Sequence, residues 1–164
     1  MSAPRAGAQL RPAGIFRRLA ALGIDSIAPM SLVAALMALK VLPRNALEVP
    51  DDWFWTEWLL ERWLEQPSSL YAPLLVFVFL SLLWTTGWEA ISARTPGARL
   101  LSLTLVNRRG LAPGLGACGL RLVGSALNVA TFGLGYFWIV ASRYRRGWHD
   151  IISDTYVIHD SKKP

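Results

Sequence analysis

FRRLAALGIDSIAPMSLVAALMALKVL, residues 16 to 42, is apolar nearly throughout from Leu19 to Leu39, yet it holds Asp25 inside that run. At about 1.5 Å per residue the run matches a hydrocarbon layer of about 30 Å, so it predicts a first transmembrane helix, with Pro29 as an expected kink. A basic stretch before an apolar one also describes a signal peptide, but the apolar part of such a peptide lasts only about 7 to 15 residues, and this run continues well beyond that. A carboxylate at membrane depth costs about 3 kcal/mol on insertion scales and needs a partner or a protein-lined cavity. Arg18 shares a helix face with Asp25 but lies about 10 Å away along the axis, and long arginine side chains turn toward water. The spacing therefore predicts that a third group meets Asp25.

Composition agrees with a lipid environment. Of the 164 residues, 53% are hydrophobic and only 17% are charged, below the roughly 25% of an ordinary soluble domain, and the mean hydropathy is +0.34. One domain is expected at this length. The 17 Lys plus Arg exceed the 11 Asp plus Glu, giving a net charge of +6 that fits nucleic acid, anionic lipid or membrane topology until its placement is examined. Cys118 is the only cysteine, which excludes an internal disulfide and a cysteine-based metal cluster.

The first 14 residues, MSAPRAGAQLRPAG, lack periodicity and are expected to form a mobile tail, matched by a short C-terminal tail over 160–164. From 43 to 69 the chain turns acidic and rich in tryptophan. Within DDWFWTEWLLERWLEQP, Asp51 and Asp52 sit at the expected helix start, where they favour the dipole, and Pro67 follows its expected end. Trp55, Leu59 and Trp63 recur at helical spacing with Trp58 beside them, opposite Glu57, Glu61 and Glu65. That pattern fits an amphipathic helix lying on the bilayer and equally one packed on its own protein.

Tyr71 to Ala93 is long enough for a second span and carries Glu89 near its end. Leu101 to Val106 then alternates Leu and Val with Ser and Thr before a turn at Asn107 to Gly110, and Thr155 to Ile158 is again β-branched and aromatic. The two segments are predicted to pair. Between them Leu115 to Ser142 is mostly apolar, contains Arg121, and is interrupted by TFGLG at 131 to 135.

A single slanted crossing, giving a third span, would set Arg143, Arg145 and Arg146 opposite Arg94, Arg99, Arg108 and Arg109, against the positive-inside rule, and would separate the strands. A hairpin turning back at Gly133 and Gly135 meets both constraints as two half-length helices against the two full spans, and is preferred. The expected fold is all-α transmembrane: two full spanning helices plus a broken apolar hairpin, with a short cytoplasmic two-stranded β element. The N-terminus, the 94–114 loop and the C-terminus fall in the cytoplasm, and the tryptophan-rich insert outside.

Besides Asp25 and Arg18, the ionisable residues near membrane depth are Glu89, His149 and Asp150. Intramembrane ionisable residues are functional by default, which favours a functional role for Asp25, while Glu89 reads equally as a site residue or as facing headgroups. His149, beside Trp148, is expected to be a hydrogen-bonded structural histidine; with His159 the only other one, zinc spacing is missing, and neither metal nor cofactor is expected. Ser26 and Ser31 are expected to bond helix carbonyls or a neighbouring helix. Gly114, Gly116, Gly119 and Gly124 lack a following P-loop lysine, so close helix packing is the expected use.

The pattern Arg18, Ala21, Asp25 in the first helix, then TPGARLL at 95 to 101 opening a strand, then His149 and Asp150 followed by Thr155 and Val157, resembles the RDD family of small bacterial membrane proteins, named for one arginine and two aspartates. The resemblance covers about Gly14 to His159 without the tryptophan-rich insert. By this likeness Arg18, Asp25 and Asp150 are the family's Arg, Asp and Asp, and Thr95, Pro96, Gly97, Arg99 and Thr155 carry its flanking motifs. Ala98 departs from the usual lysine after Thr-Pro-Gly, leaving any role of that lysine to Arg99 or to nothing. The likeness implies a bacterial inner-membrane location for a domain over 15–159, and brings Asp150 toward Arg18 at the cytoplasmic ends of the first two helices. There the pair serves as an inter-segment clamp or as part of a site, and only a raised carboxylate pKa would make a proton carrier.

The resemblance implies no well-defined activity; transport is suggested for the family, with sodium–proton exchange proposed for some members. Ion- or proton-coupled transport of an unidentified solute is therefore the first expectation, although two spans and a hairpin enclose a pathway poorly without a homo-oligomer. The alternative is a non-enzymatic scaffold or assembly partner of another membrane protein. No nucleophile-base set is spaced for catalysis, so an enzyme is not expected. The basic residues gather beside apolar spans, which points to anionic lipid at the cytoplasmic face and not to nucleic acid.

Overall fold

The computed structural model describes residues 12–43, 49–142 and 144–159. Its elements are α1 (Ile15–Asp25), α2 (Ile27–Ala38), α3 (Trp55–Glu65), α4 (Pro67–Ser92), α5 (Pro96–Leu100), β1 (Leu103–Asn107), α6 (Leu115–Ala130), α7 (Leu134–Ala141), α8 (Trp148–Ile152) and β2 (Thr155–His159). Ile15–Ala38 and Pro67–Ser92, at 24 and 26 residues, are long and apolar enough to cross a membrane. At about 1.5 Å per residue they reach about 36 and 39 Å.

Packing divides the chain into two units. One holds the described residues up to Asp25 together with Leu82 onward, and the other is Ser26–Ser81. The boundary at Asp25 coincides with a break between α1 and α2. Ser26 keeps helical backbone angles, but the residue four after Asp25 is Pro29, which has no N–H to return to the Asp25 carbonyl. The lost hydrogen bond falls at the Asp25 carbonyl, while Ser26 still accepts from the Met30 amide at 3.0 Å.

In the Ser26–Ser81 unit, Val33 and Met37 form a small core closed by Leu42, Leu70, Val76, Phe77 and Leu80. Helix α3 has no buried residue, and its Trp63 meets Tyr71 edge-on with ring centroids 5.1 Å apart. It starts at Trp55 with Phe54 as N-cap, later than Asp51 and Asp52 predict. The Trp53 amide donates to the Pro50 carbonyl at 3.1 Å, placing the two aspartates at the corner of a turn and leaving Glu57 in the first helical turn. Pro67 ends α3 and also opens α4, since its fixed φ suits a first helical position, so the second long helix begins ahead of the expected Tyr71.

In the other unit, α1 turns Arg18, Ala21 and Asp25 inward on one face. β1 and β2 pair antiparallel as expected, from Leu103 against His159 to Asn107 against Thr155. Residues 12 and 13, expected in the mobile tail, instead join this sheet: Pro12 bridges Ile158, and the Ala13 amide donates to the Val157 carbonyl at 3.0 Å. Ala13, Ala21 and Leu103 form the core beneath, with Ala98, Leu101 and Val157 against it. The rest of the expected N-terminal tail, residues 1–11, lies outside the described residues, as do Arg143 and residues 160–164.

Two further expectations change. The TPGARLL segment does not open a strand: Thr95 caps the short helix α5, its Oγ1 accepting from the Ala98 amide at 3.1 Å, with Pro96 in the first turn, and the strand starts at Leu103. The apolar 115–142 segment is a bent pair of unequal limbs, α6 of 16 residues and α7 of 8, meeting at 104°. Phe132 (φ +52°) and Gly133 (φ +82°) make the bend, both in the left-handed region that glycine enters freely. Gly135 lies within α7, where Asn128 and the Trp148 ring approach its backbone too closely for a side chain.

After α7 the chain returns to α6. A Cβ on Gly124 would lie 2.7 Å from His149 Cα, so α8 packs directly on the α6 backbone there, as close helix packing predicts. Gly114, Gly116 and Gly119 do not follow: a Cβ on any of them meets nothing within 4 Å. Because Asn107 and Thr155 are sheet partners, the segment between them leaves and rejoins one place.

Candidate functional site

Asp25 is 5% exposed at the C-terminal end of α1. Arg18, on the same helix face, turns to Asp150 instead, in keeping with the spacing. The Thr95 hydroxyl donates to Asp25 Oδ2 and the Gly97 amide donates to Oδ1 at 2.8 Å. The third group is therefore the Thr-Pro-Gly cap of α5, which satisfies both carboxylate oxygens from one turn of backbone. Gly97 is required by proximity, because a Cβ there would overlap the Ala21 carbonyl. The buried acid is thus an acceptor for another helix's first turn, where a negative charge is also favoured by the aligned peptide dipoles.

One face of α1 carries Arg18 to the second aspartate. Arg18 Nη1 donates to Asp150 Oδ2 at 2.5 Å, and Nη2 donates to the Arg145 carbonyl at 2.9 Å. Asp150 is fully buried. Its Oδ1 accepts from Arg121 Nη1, and Oδ2 also accepts from the Gly147 amide at 3.1 Å. Arg121 Nε donates to Glu89 Oε1 at 3.0 Å, and Nη1 donates to Thr155 Oγ1 at 3.1 Å. Two guanidiniums and two carboxylates drawn from α1, α4, α6 and α8 so form one continuous network, balanced in charge when both acids are ionised.

His149 closes its edge. Asn128 Nδ2, an amide nitrogen that can only donate, lies 2.8 Å from His149 Nδ1, which puts the imidazole proton on Nε2, 3.4 Å from Asp150 Oδ1. The Tyr136 ring lies against the imidazole, centroids 4.9 Å apart. Burial, then the charge of Arg121, hold the histidine down at about 3, so it is neutral near neutral pH. For Asp150 burial pushes the carboxyl up, but the guanidiniums, Arg121 foremost, outweigh it and hold the group below the usual carboxylate range. An acid held ionised in this way is a poor proton carrier.

The sequence profile of the RDD family matches residues 12–154. The chain belongs to the RDD family. No curated protein and no solved structure matches it. The arginine and the two aspartates that name the family, here Arg18, Asp25 and Asp150, occupy two adjoining polar knots, tied by α1. Arg18 serves the second aspartate and the Thr95–Gly97 cap serves the first. Thr155, expected as a motif residue, accepts from Arg121 and lies 2.7 Å from Ser153 Oγ. Arg99, the candidate stand-in for the family's usual lysine, stacks over the Trp88 ring at 5.2 Å and takes no part in either knot.

Arg121 and Asn128 are the network residues that sequence reasoning did not select. A lone arginine in an apolar stretch carried the same signal as Asp25, an intramembrane charge in need of partners.

Proposed function

We propose that this RDD-family chain is a multi-pass bacterial inner-membrane protein that acts as a non-enzymatic assembly module for other membrane-embedded chains. Its N-terminus, its sheet and the segment from Tyr144 to His159 are placed in the cytoplasm. The observation that carries this reading is an inverted distribution of polarity. Arg18, Asp25, Arg121, Asn128, His149 and Asp150 are buried, while Leu75, Phe79, Val123, Leu127, Phe137 and Val140 face outward. Water favours the reverse, and a hydrocarbon surround favours this one.

The spans and the sheet support this topology. The Ile15–Ala38 and Pro67–Ser92 helices carry the chain across and back, leaving the α3 segment, with its exposed tryptophans, at the far interface. The α6–α7 pair enters and returns as a re-entrant element. Partners across an antiparallel pair lie about 5 Å apart, whereas one crossing would part Asn107 from Thr155 by about 30 Å. Re-entry also keeps Arg145 and Arg146 with Arg108 and Arg109.

The closed polar network favours assembly over a self-contained carrier. Asp25 is occupied as a helix cap and Asp150 is held between two guanidiniums, while Gly116 and Gly119 on α6 leave room for another helix to approach. Ion- or proton-coupled transport remains as a second reading because Glu89, held by Arg121 through one oxygen, is the least tightly bound acid of the network. Purification in mild detergent followed by reconstitution separates the two. Co-migration with a larger membrane complex, together with ion flux no higher than in empty vesicles, is expected. A lone monomer whose flux disappears in Asp25→Asn or Glu89→Gln would establish the carrier instead.

A further inference from the structure

Beside the sheet lies a cavity of about 220 Å³ whose wall includes Arg18, Arg146, Tyr144, Tyr156 and the β2 backbone at Val157 and Ile158. We propose that it binds the phosphate of an anionic phospholipid headgroup. The proposal rests on the membrane reading above and adds a built lipid site to it.

Charge comes first. Among the described residues, Arg18 and Arg121 share Asp150, Arg121 also holds Glu89, and Arg146 and Arg108 share Asp154. Four guanidiniums therefore meet three carboxylates, and two of the four, Arg18 and Arg146, line the cavity. The donors are likewise in excess. Arg18 Nε and Arg146 Nε are buried without a partner, although each residue's terminal nitrogens are engaged. A buried N–H that meets no acceptor costs free energy, and a phosphate oxygen reaching either Nε would recover it.

Geometry then narrows the ligand. Arg146 lies over the Tyr156 ring, its Cζ 4.2 Å from the centroid, and donates to the Tyr156 hydroxyl at 3.2 Å and to the Asp150 carbonyl at 2.8 Å. A planar guanidinium fixed in this way is preorganised for phosphate oxygens. Drug-sized sites start at about 300 Å³, so this cavity takes a headgroup and not a whole ligand. The remainder of the wall is apolar, from Val157, Ile158 and the tyrosine rings, which suits the glycerol and upper acyl region of a lipid and offers a freely soluble phosphate no contact beyond the arginines. Tyr144, 66% exposed, stands at the mouth, the usual place of tyrosine where water meets lipid.

Native mass spectrometry of the full chain, released from neutral detergent and titrated with phosphatidylglycerol or phosphatidylcholine, tests this. Both lipids carry a phosphodiester, so the preference reads the choline ammonium that the arginines repel: phosphatidylglycerol should bind roughly tenfold more tightly, and Arg146→Gln should abolish the preference. Tyr144→Ala, at an exposed position that disturbs no buried bond, should weaken it, while Arg109→Gln, outside the cavity, should leave it intact. Equal weakening by Arg109→Gln and Arg146→Gln would reduce the effect to general surface attraction and overturn the proposal. Displacement of the lipid by millimolar inorganic phosphate would assign the cavity to a soluble phosphate and overturn the lipid. A chain that stays in phosphatidylcholine vesicles through a carbonate wash, yet shows no lipid preference, would refute the site alone; release by carbonate would refute the membrane reading beneath it.

Discussion

The Gly97 amide donates to Asp25 Oδ1 at 2.8 Å, so a carboxylate on α1 caps the first turn of α5 across a long sequence separation. Asp25→Asn preserves volume but turns an acceptor oxygen into an NH₂ group facing a donor. It should lower stability by about 1–3 kcal/mol, the cost of a buried donor left without its acceptor. Thermal unfolding in detergent measures it. An unchanged midpoint would mean that the cap does not form.

Arg18 and Asp150 are coupled partners, and so are Arg121 and Asp150. Removing one side of a buried pair costs about 3–5 kcal/mol because a charge stays behind. Arg18→Gln and Asp150→Asn should each destabilise on that scale, and the double variant should lose clearly less than the two losses added. Additive losses in a double-mutant cycle would show that the two side chains do not interact. Arg121→Lys should fail to substitute, since a single ammonium cannot serve Glu89 and Asp150 with separate nitrogens as Nε and Nη1 do.

Gly124 and Gly119 make opposite predictions from one helix. A methyl at Gly124 would press on His149 Cα and force α8 off α6, at a cost of roughly 1–3 kcal/mol. Gly119→Ala meets nothing within 4 Å and should be neutral or stabilise by up to about 1 kcal/mol through helix propensity. If α6 docks on another chain, Gly119→Leu should weaken that association while unfolding midpoints hold steady. Equal damage from alanine at both positions would contradict the packing described.

Acid should destabilise the fold in two stages. His149 binds its proton near 3 in the folded state against 6.5 when free, so the unfolded chain takes up protons first. Stability is therefore complete above about pH 6.5 and falls as pH drops toward 3, by on the order of 3 kcal/mol at pH 4.5. Asp150, also depressed, adds its loss below its ordinary value of 3.8. Melting between pH 7.5 and 4.5 should show the decline, and His149→Gln should flatten it. A wild-type curve level across that range would contradict a buried neutral histidine.

Much of this arrangement was legible in the sequence. The long apolar runs announced their helices, alternation announced the two strands, and the demand of Asp25 for a polar companion was correct in kind. The companion itself was hidden, because half of it is a backbone amide and no side-chain pattern advertises an N–H. The start of α5 was available from Thr95 and Pro96, residues suited to an N-cap and a first helical position, but the alternation that follows drew the strand forward over it. Asp51 and Asp52 misled for a similar reason: acids favour helix starts, and here a tight turn from Pro50 to Trp53 used them first. Arg121 needed three elements assembled before its partners met.

Whether the α6–α7 segment enters and leaves by one face is decided by labelling single cysteines at Arg109 and Tyr144, both exposed, in a Cys118→Ser background with a membrane-impermeant reagent. These positions avoid Gly147, whose amide is engaged by Asp150. Both cysteines should react from the cytoplasmic side and from that side alone. Reaction of Tyr144→Cys from the opposite face to Arg109→Cys would make the segment a plain third crossing, incompatible with Asn107 beside Thr155.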